Sequence, residues 1–134
     1  MNMEFIPIKE DLKDNEDFLN HPDRQDSLYM SIDFFKKVGY TVPWIGYYAA
    51  INHVLVGCAA FKGKPVNGKV EIAYGTFPQH QKKGVATEIC QQLLQLSLKT
   101  DVTIRVTART LAEENFFNKS SEKKRFWMDG NATR

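Results

Sequence analysis

Glu71-Ile72-Ala73-Tyr74-Gly75-Thr76-Phe77-Pro78-Gln79-His80-Gln81-Lys82-Lys83-Gly84-Val85-Ala86-Thr87 passes from one periodicity to another. Its first residues alternate as a strand, which breaks at Gly75 and Pro78, and a basic glycine loop follows. From Val85 to about Lys99 the apolar residues recur at helical spacing. Val85, Ile89, Leu93 and Leu96 form a stripe with Ala86, Cys90 and Leu94 beside it, while Glu88, Gln91, Gln92 and Gln95 face water. A loop that enters a helix this way leaves backbone N–H groups unpaired at the helix N-terminus. There they and the helix dipole hold an anion such as a pyrophosphate.

The residues before this stretch read as a meander. Trp44 to Ile51 is strand-like, Asn52-His53 fits a two-residue turn, and Val54 to Phe61 returns as a second strand. Gly63, Pro65, Asn67 and Gly68 supply another turn before the strand Val70 to Tyr74. Further back, Met3 to Ile8 suits an edge strand, because Pro7 removes a ladder donor. Lys9 to Asn20 is acidic and predicts a short helix. Gln25 to Val38 predicts a second, with Leu28, Ile32 and Phe35 at helical spacing, Met30 and Phe34 joining them, and Gly39 as its C-terminal cap. These helices border any substrate cleft and carry Tyr29, Asp33 and Lys36 as candidate lining residues. After the helix of the opening stretch, Val102 to Thr107 alternates as a strand that the crossover sets parallel to the previous one.

The 134 residues make one domain of an α+β (α/β hybrid) class, with no internal repeat. A hydrophobic content of 43% with 25% charged residues excludes wholesale disorder. The net charge of +2 is far from that of a dedicated nucleic-acid binder, and no aromatic-basic stripe appears, so no nucleic acid is expected as partner. Cys58 and Cys90 lie in apolar runs, too few for a disulfide framework or a zinc site, and read as reduced thiols. The N-terminus lacks the features of a signal peptide and no stretch is apolar enough to span a membrane, which gives a cytoplasmic location as the expectation.

The element order, with Gln81-Lys82-Lys83-Gly84-Val85-Ala86 opening the helix, resembles the GNAT superfamily of N-acetyltransferases. That family's acetyl-CoA motif is Gln/Arg-x-x-Gly-x-Gly/Ala after a strand, matched here with Ala86 at the last position. The resemblance runs from roughly Met3 to Asn115, is closest from Trp44 onward, and points to the small bacterial members. It implies a mixed sheet with helices on both faces, and it implies acetyl transfer from acetyl-CoA to a primary amine on a small molecule or peptide. By the family pattern the backbone of Gln81, Lys82, Lys83, Gly84, Val85 and Ala86, with Thr87 just inside the helix, binds the pyrophosphate. The main chain at Thr76 and Phe77 pairs with the pantetheine arm in a split between the strands that flank the helix. Glu71 stands where many relatives carry the glutamate that deprotonates the amine, and an exposed strand charge is the competing reading. Tyr74 is a second candidate for the same cleft, with packing as its alternative. Asn115 matches an asparagine that opens the next helix and touches the cofactor, or it is simply an N-cap. His80 reads as exposed or as a weak phosphate contact. Lys62 and Lys64 read as solvated charges or as contacts to the cofactor's adenosine phosphate.

The tail from 112 to 134 departs from this pattern. It contains no Val, Ile or Leu, and its apolar content is mostly Phe116, Phe117, Phe126, Trp127 and Met128. Glu113 to Lys124 can form a helix. The family's Lys-x-Gly-Phe turn, its two final strands and the tyrosine that often protonates the leaving thiolate are not visible. One hypothesis for the change is a shift of reading frame: the codon choice AAA-AAA-CGG-TTT-TGG would encode Lys123 to Trp127, and regrouped by one base it contains AAA-AAC-GGT-TTT, or Lys-Asn-Gly-Phe. Without the final strands, Val102 to Thr107 becomes an unpaired edge, and a homodimer covering it is the expectation. The rival to an active acetyltransferase is an impaired acyl-CoA-binding or interaction domain.

Overall fold

The computed structural model describes residues 2–19, 22–109 and 125–128. Strand β1, Met3–Pro7, is an edge strand, as its proline requires. The acidic segment after it makes a 3-10 turn, Leu12–Asn15, that runs into the single helical turn α1, Glu16–Leu19. Asn15 ties this segment down. Its Oδ1 accepts from the Lys9 N–H at 2.9 Å, and its Nδ2 donates to the carbonyls of Lys9 and Asp11 at 3.0 and 2.9 Å. Helix α2 spans Pro22–Val38 and buries Leu28, Ile32 and Phe35, whereas Met30 lies outside that stripe, exposed. Gly39 ends the helix at φ +91, its N–H donating to the Phe35 carbonyl at 2.8 Å.

β2 (Gly46–Ile51), β3 (Val54–Phe61) and β4 (Lys69–Thr76) form the expected antiparallel meander. Asn52 and His53 both have positive φ, which a two-residue hairpin turn demands. Helix α3, Val85–Thr100, follows the loop, and the crossover sets β5, Arg105–Arg109, parallel to β4. This strand starts later than its alternation predicts. The Asp101 carboxylate accepts from the N–H and hydroxyl of Thr103, which makes a turn of Val102 and Thr103 and leaves Val102 55% exposed.

A sixth strand, β6, Arg125–Met128, pairs antiparallel with β5 from Val106↔Met128 to Arg109↔Arg125. The expectation of an unpaired β5 edge is thereby corrected: the tail covers that edge along four residue pairs, and the argument for a homodimer loses its physical basis. The strand order is β1-β2-β3-β4-β5-β6.

Helices lie on both faces of the sheet. A Cβ placed on Gly46 would touch Phe35 and Ser31 of α2 at 3.7 and 3.8 Å, whereas one on Gly57 would meet Ile89 of α3 at 3.0 Å. Residues paired across strands share a face, so the register carries these assignments through the sheet. Cys58, Ala60, Glu71, Ala73, Gly75 and Thr107 are on the α2 face, and Val70, Ile72, Tyr74 and Thr76 are on the α3 face. The core fills both layers, with Leu28, Phe35 and Tyr48 on one side and Ile72, Ile89 and Leu93 on the other.

Candidate active site

Two hydrogen bonds set the phase of β4. The Lys62 N–H donates to the Glu71 carbonyl and the Phe77 N–H to the Val56 carbonyl, each at 2.8 Å. In an antiparallel ladder alternate residues exchange bonds with the neighbour, so the main chain at 71, 73, 75 and 77 faces β3. The N–H and C=O groups of Ile72, Tyr74 and Thr76 point the other way, toward β5. Among the described residues the parallel pairing with β5 runs from Lys69↔Arg105 to Ile72↔Ala108. Beyond it, β4 continues to Thr76, with the backbone of Tyr74 and Thr76 directed to the side on which β5 lies. Phe77, expected to pair with an incoming chain here, has its N–H committed to β3, and its carbonyl accepts from the His80 N–H at 2.8 Å. Its ring packs toward Tyr48, with centroids 6.3 Å apart. The main chain of Tyr74, not of Phe77, is turned to that side.

The loop after β4 opens with a 3-10 turn at Pro78–His80. Gln81 then reaches back, its Nε2 donating to the Thr76 carbonyl at 3.3 Å. Lys82 has φ +64 and Gly84 φ +78, two left-handed residues that turn the chain into α3. Gly84 is the N-cap and has no side chain with which to accept the first helical N–H groups. Val85 anchors the helix in the core, while Lys82, Lys83, Gly84, Ala86 and Thr87 are exposed around its positive end.

Glu71 and Tyr74, offered together by the sequence, are separated by the sheet. Glu71 points to the α2 face, where Lys62 Nζ lies 3.4 Å from its Oε2. Lys62 is thus partner to Glu71 at the far end of β4. Five residues, roughly 17 Å of strand, separate it from Thr76 and the loop where a phosphate contact was expected. Tyr74 points to the α3 face and its hydroxyl hydrogen-bonds with the Cys90 thiol. Burial, then the neighbouring Cys90, pushes the Tyr74 hydroxyl well above the usual tyrosine range. Burial also raises Cys90, against the lowering effect of the same hydrogen bond. A phenol and a thiol both held protonated make a packing pair. Cys58 is buried on the opposite face from that pair, and both cysteines are free.

Asn115 lies outside the described residues. Sequence reasoning missed three features of the site: the main chain of Tyr74, the pairing of Lys62 with Glu71, and Thr107, which the register sets beside Glu71. Each depends on strand phase or register. Only the hairpin turn between β3 and β4 held a usable signal, since counting back from it places Lys62 opposite Glu71. Among the described residues no group of His, Cys, Asp and Glu is arranged to hold a metal, and no helix is long and apolar enough to cross a membrane.

The chain belongs to the Acetyltransferase (GNAT) family, which it matches over residues 8–120. An uncharacterized N-acetyltransferase of Bacillus subtilis (strain 168), YjdG, is 34% identical over 79 residues, which are 58% of this chain and 47% of that protein. The chain therefore spans about half the length of this curated relative. Among solved structures, a spermidine N-acetyltransferase chimera from Vibrio cholerae and hSSAT matches with a TM-score of 0.56 at 14% identity, over 82% of this chain and 71% of the other. A ribosomal alpha-N-protein acetyltransferase in complex with coenzyme A gives 0.54 at 15% identity, over 81% and 71%. At such identities the likeness is one of fold.

Proposed function

We propose that this chain transfers an acetyl group from acetyl-CoA to a primary amine. The observation that carries the reading is the backbone edge of Tyr74 and Thr76, turned to the β5 side of β4 beyond the described pairing and directly before a helix N-terminus with no side-chain cap. An amide-rich arm such as pantetheine adds to that edge as a strand adds to a sheet. The pyrophosphate then falls on the N–H groups from Gln81 to Thr87, with Lys82 and Lys83 adding favourable charge. Coenzyme A binding by this fold, as in the coenzyme A complex of the ribosomal alpha-N-protein acetyltransferase, supports the same assignment.

In the reaction the amine nitrogen attacks the thioester carbonyl carbon. An N–C bond forms, the C–S bond breaks, and coenzyme A leaves as a thiolate that takes a proton from water. The nitrogen's proton passes to Glu71, directly or through one water. The Tyr74 N–H, turned to the β5 side, polarises the carbonyl as negative charge develops on its oxygen. Holding both reactants in one cleft supplies the entropic part of the acceleration.

The test is release of free thiol from acetyl-CoA with spermidine, lysine and a short peptide carrying a free N-terminus, alongside calorimetric titration of acetyl-CoA. Saturable binding and amine-dependent thiol release are expected. Binding without release for any amine would replace this reading with that of an acyl-CoA-binding domain, and absence of both would overturn the cofactor assignment.

A further inference from the structure

Thr107 is a polar residue in a place where polarity is costly. It is 4% exposed, and its buried Oγ1 has no hydrogen-bond partner among the described residues. Its neighbours in β5, Val106 and Ala108, are fully buried on the α3 face, and a valine at 107 would suit the strand equally well. A buried hydroxyl with nothing to bond is destabilising, so its presence calls for a partner that comes and goes.

The register identifies what the hydroxyl accompanies. Thr107 is the Cα partner of Glu71 across the parallel β4–β5 pair, and both side chains stand on the α2 face. Glu71 Oε2 is buried and faces Lys62 Nζ at 3.4 Å, while the two side chains as wholes are 20% and 22% exposed, so the cluster borders solvent through their other atoms. Among the described residues the pairing of β4 with β5 runs one residue further, to Ile72↔Ala108. A carboxylate and a hydroxyl therefore stand side by side next to the edge along which the thioester would lie.

We propose that Thr107 positions the acceptor: its Oγ1 accepts a hydrogen bond from the amine whose other N–H is held by Glu71. This rests on the acetyl-transfer reading above. A neutral primary amine has two N–H groups and one lone pair. With one N–H on Glu71 and the other on Thr107, the lone pair is left pointing away from both, toward the thioester carbon. On attack the N–C bond forms and the C–S bond breaks. Glu71 takes the N–H proton it already holds, and Thr107 keeps its own bond to what becomes the amide N–H. The hydroxyl exchanges no proton, so it is a positioning residue. A secondary amine has one N–H and leaves either Glu71 or Thr107 without a partner. Selection of primary over N-methylated amines is therefore a consequence of the pair, since a site built to hydrogen-bond a group rejects the analogue that lacks it.

The experiment compares wild type, Thr107→Val and Thr107→Ser. Its readouts are KM and kcat for the fastest panel amine and its N-methyl derivative, the Kd for acetyl-CoA, and the melting temperature. For Thr107→Val the amine KM rises about tenfold, the scale of one lost hydrogen bond. Its kcat and acetyl-CoA Kd stay within about threefold and its preference for the primary amine collapses. The melting temperature does not fall, because the removed hydroxyl has no partner among the described residues. Thr107→Ser restores the amine KM to within about twofold. An unchanged amine KM and selectivity in Thr107→Val overturns the proposal, as does a lower melting temperature, which would show a structural role. Amine turnover by wild type without these effects sinks this inference alone, whereas no turnover of any amine by wild type sinks the acetyl-transfer reading and this one with it.

Discussion

Gly57 is where stability and the proposed cofactor edge share one contact. It sits in β3 opposite Thr76, and a Cβ there would lie 2.3 Å from the Gly75 carbonyl oxygen, 3.0 Å from Ile89 Cδ1 and 3.2 Å from Thr76 Cα. Two of these three neighbours are backbone. Gly57→Ala therefore forces the end of β4 away from β3 by at least about 0.7 Å, the difference between 2.3 Å and the 3.0 Å below which such contacts are not tolerated. Overpacking of this kind costs about 2–3 kcal/mol. For 134 residues the unfolding entropy is about 0.3 kcal/mol per kelvin, so the melting temperature falls by roughly 7–10 °C. The displaced backbone is that of Gly75 and Thr76, so the edge proposed to receive the pantetheine arm moves too, and the acetyl-CoA Kd should rise about tenfold. Calorimetric melting and titration measure both. Gly68→Ala is the control: a Cβ there meets nothing within 4 Å, but φ is +75, so it costs about 1 kcal/mol of backbone strain and leaves the Kd unchanged. A Gly57→Ala protein that melts within 1 °C of wild type and binds acetyl-CoA normally would refute the packing argument.

Glu71→Gln should lower kcat by about 10²-fold or more with the acetyl-CoA Kd within about twofold, because the carboxylate lies on the α2 face and the cofactor edge is main chain. The stability lost with the Lys62 pair is at most about 1 kcal/mol; a full-rate Glu71→Gln enzyme would remove Glu71 from the mechanism. At alkaline pH, burial pushes Tyr47 up to about 12 and raises Tyr74 and Tyr40 as well, with Cys90, Tyr40 and Glu10 charges respectively adding to Tyr74, Tyr47 and Tyr40. Folded pKa values above the unfolded value of 10.0 mean that stability is whole below pH 10 and is lost as pH rises toward 12. Phenolate absorbance should therefore lag at pH 10–11 and then rise together with unfolding, and an independent, early titration of every tyrosine would contradict the burial. Sequencing the gene across the tail tests the frame shift. Codons for Phe116 to Arg134 exist that, read one base later, give Phe-Ser-Thr-Lys-Val-Leu-Lys-Lys-Asn-Gly-Phe-Gly-Trp-Met-Glu-Thr-Gln-Arg. That reading restores the missing Val and Leu, and an offset frame that meets a stop codon in this stretch ends the idea.

The meander, the loop and helix α3 were legible because each is written locally. Asn52-His53 is a turn in any context that tolerates positive φ, and Gly84 before Val85, Ile89 and Leu93 announces a helix with its buried stripe. What was not legible depends on phase. Alternation shows that Glu71 and Tyr74 face opposite sides of β4, but periodicity alone does not say which side holds a cleft, nor which residues bond β3 and which are left over for β5. The start of β5 was misplaced because Val102 and Thr103 have strand-like side chains, and the Asp101 turn that overrides them is a three-residue hydrogen-bond pattern. β6 was missed because Arg125 to Met128 has no alternation to mark it, and only its pairing with β5 defines it as a strand.

β4 does three things in three directions, and the pleat keeps them apart. Downward, Val70, Ile72 and Tyr74 pack on α3, where Ile72 is fully buried and Tyr74 meets Cys90. Upward, Glu71 carries charge on the α2 face with Lys62 beside it and Thr107 across the strand gap. Sideways, the N–H and C=O groups of Tyr74 and Thr76 turn to the β5 side. A strand of period 2 with its hydrogen-bonding edge at right angles to its side chains permits this separation without a single loop residue doing chemistry. Substitutions along β4 should therefore sort by parity: even-numbered side chains change stability, the odd-numbered carboxylate changes turnover, and cofactor affinity responds to neither unless the backbone itself is moved, which is what a methyl group on Gly57 would do.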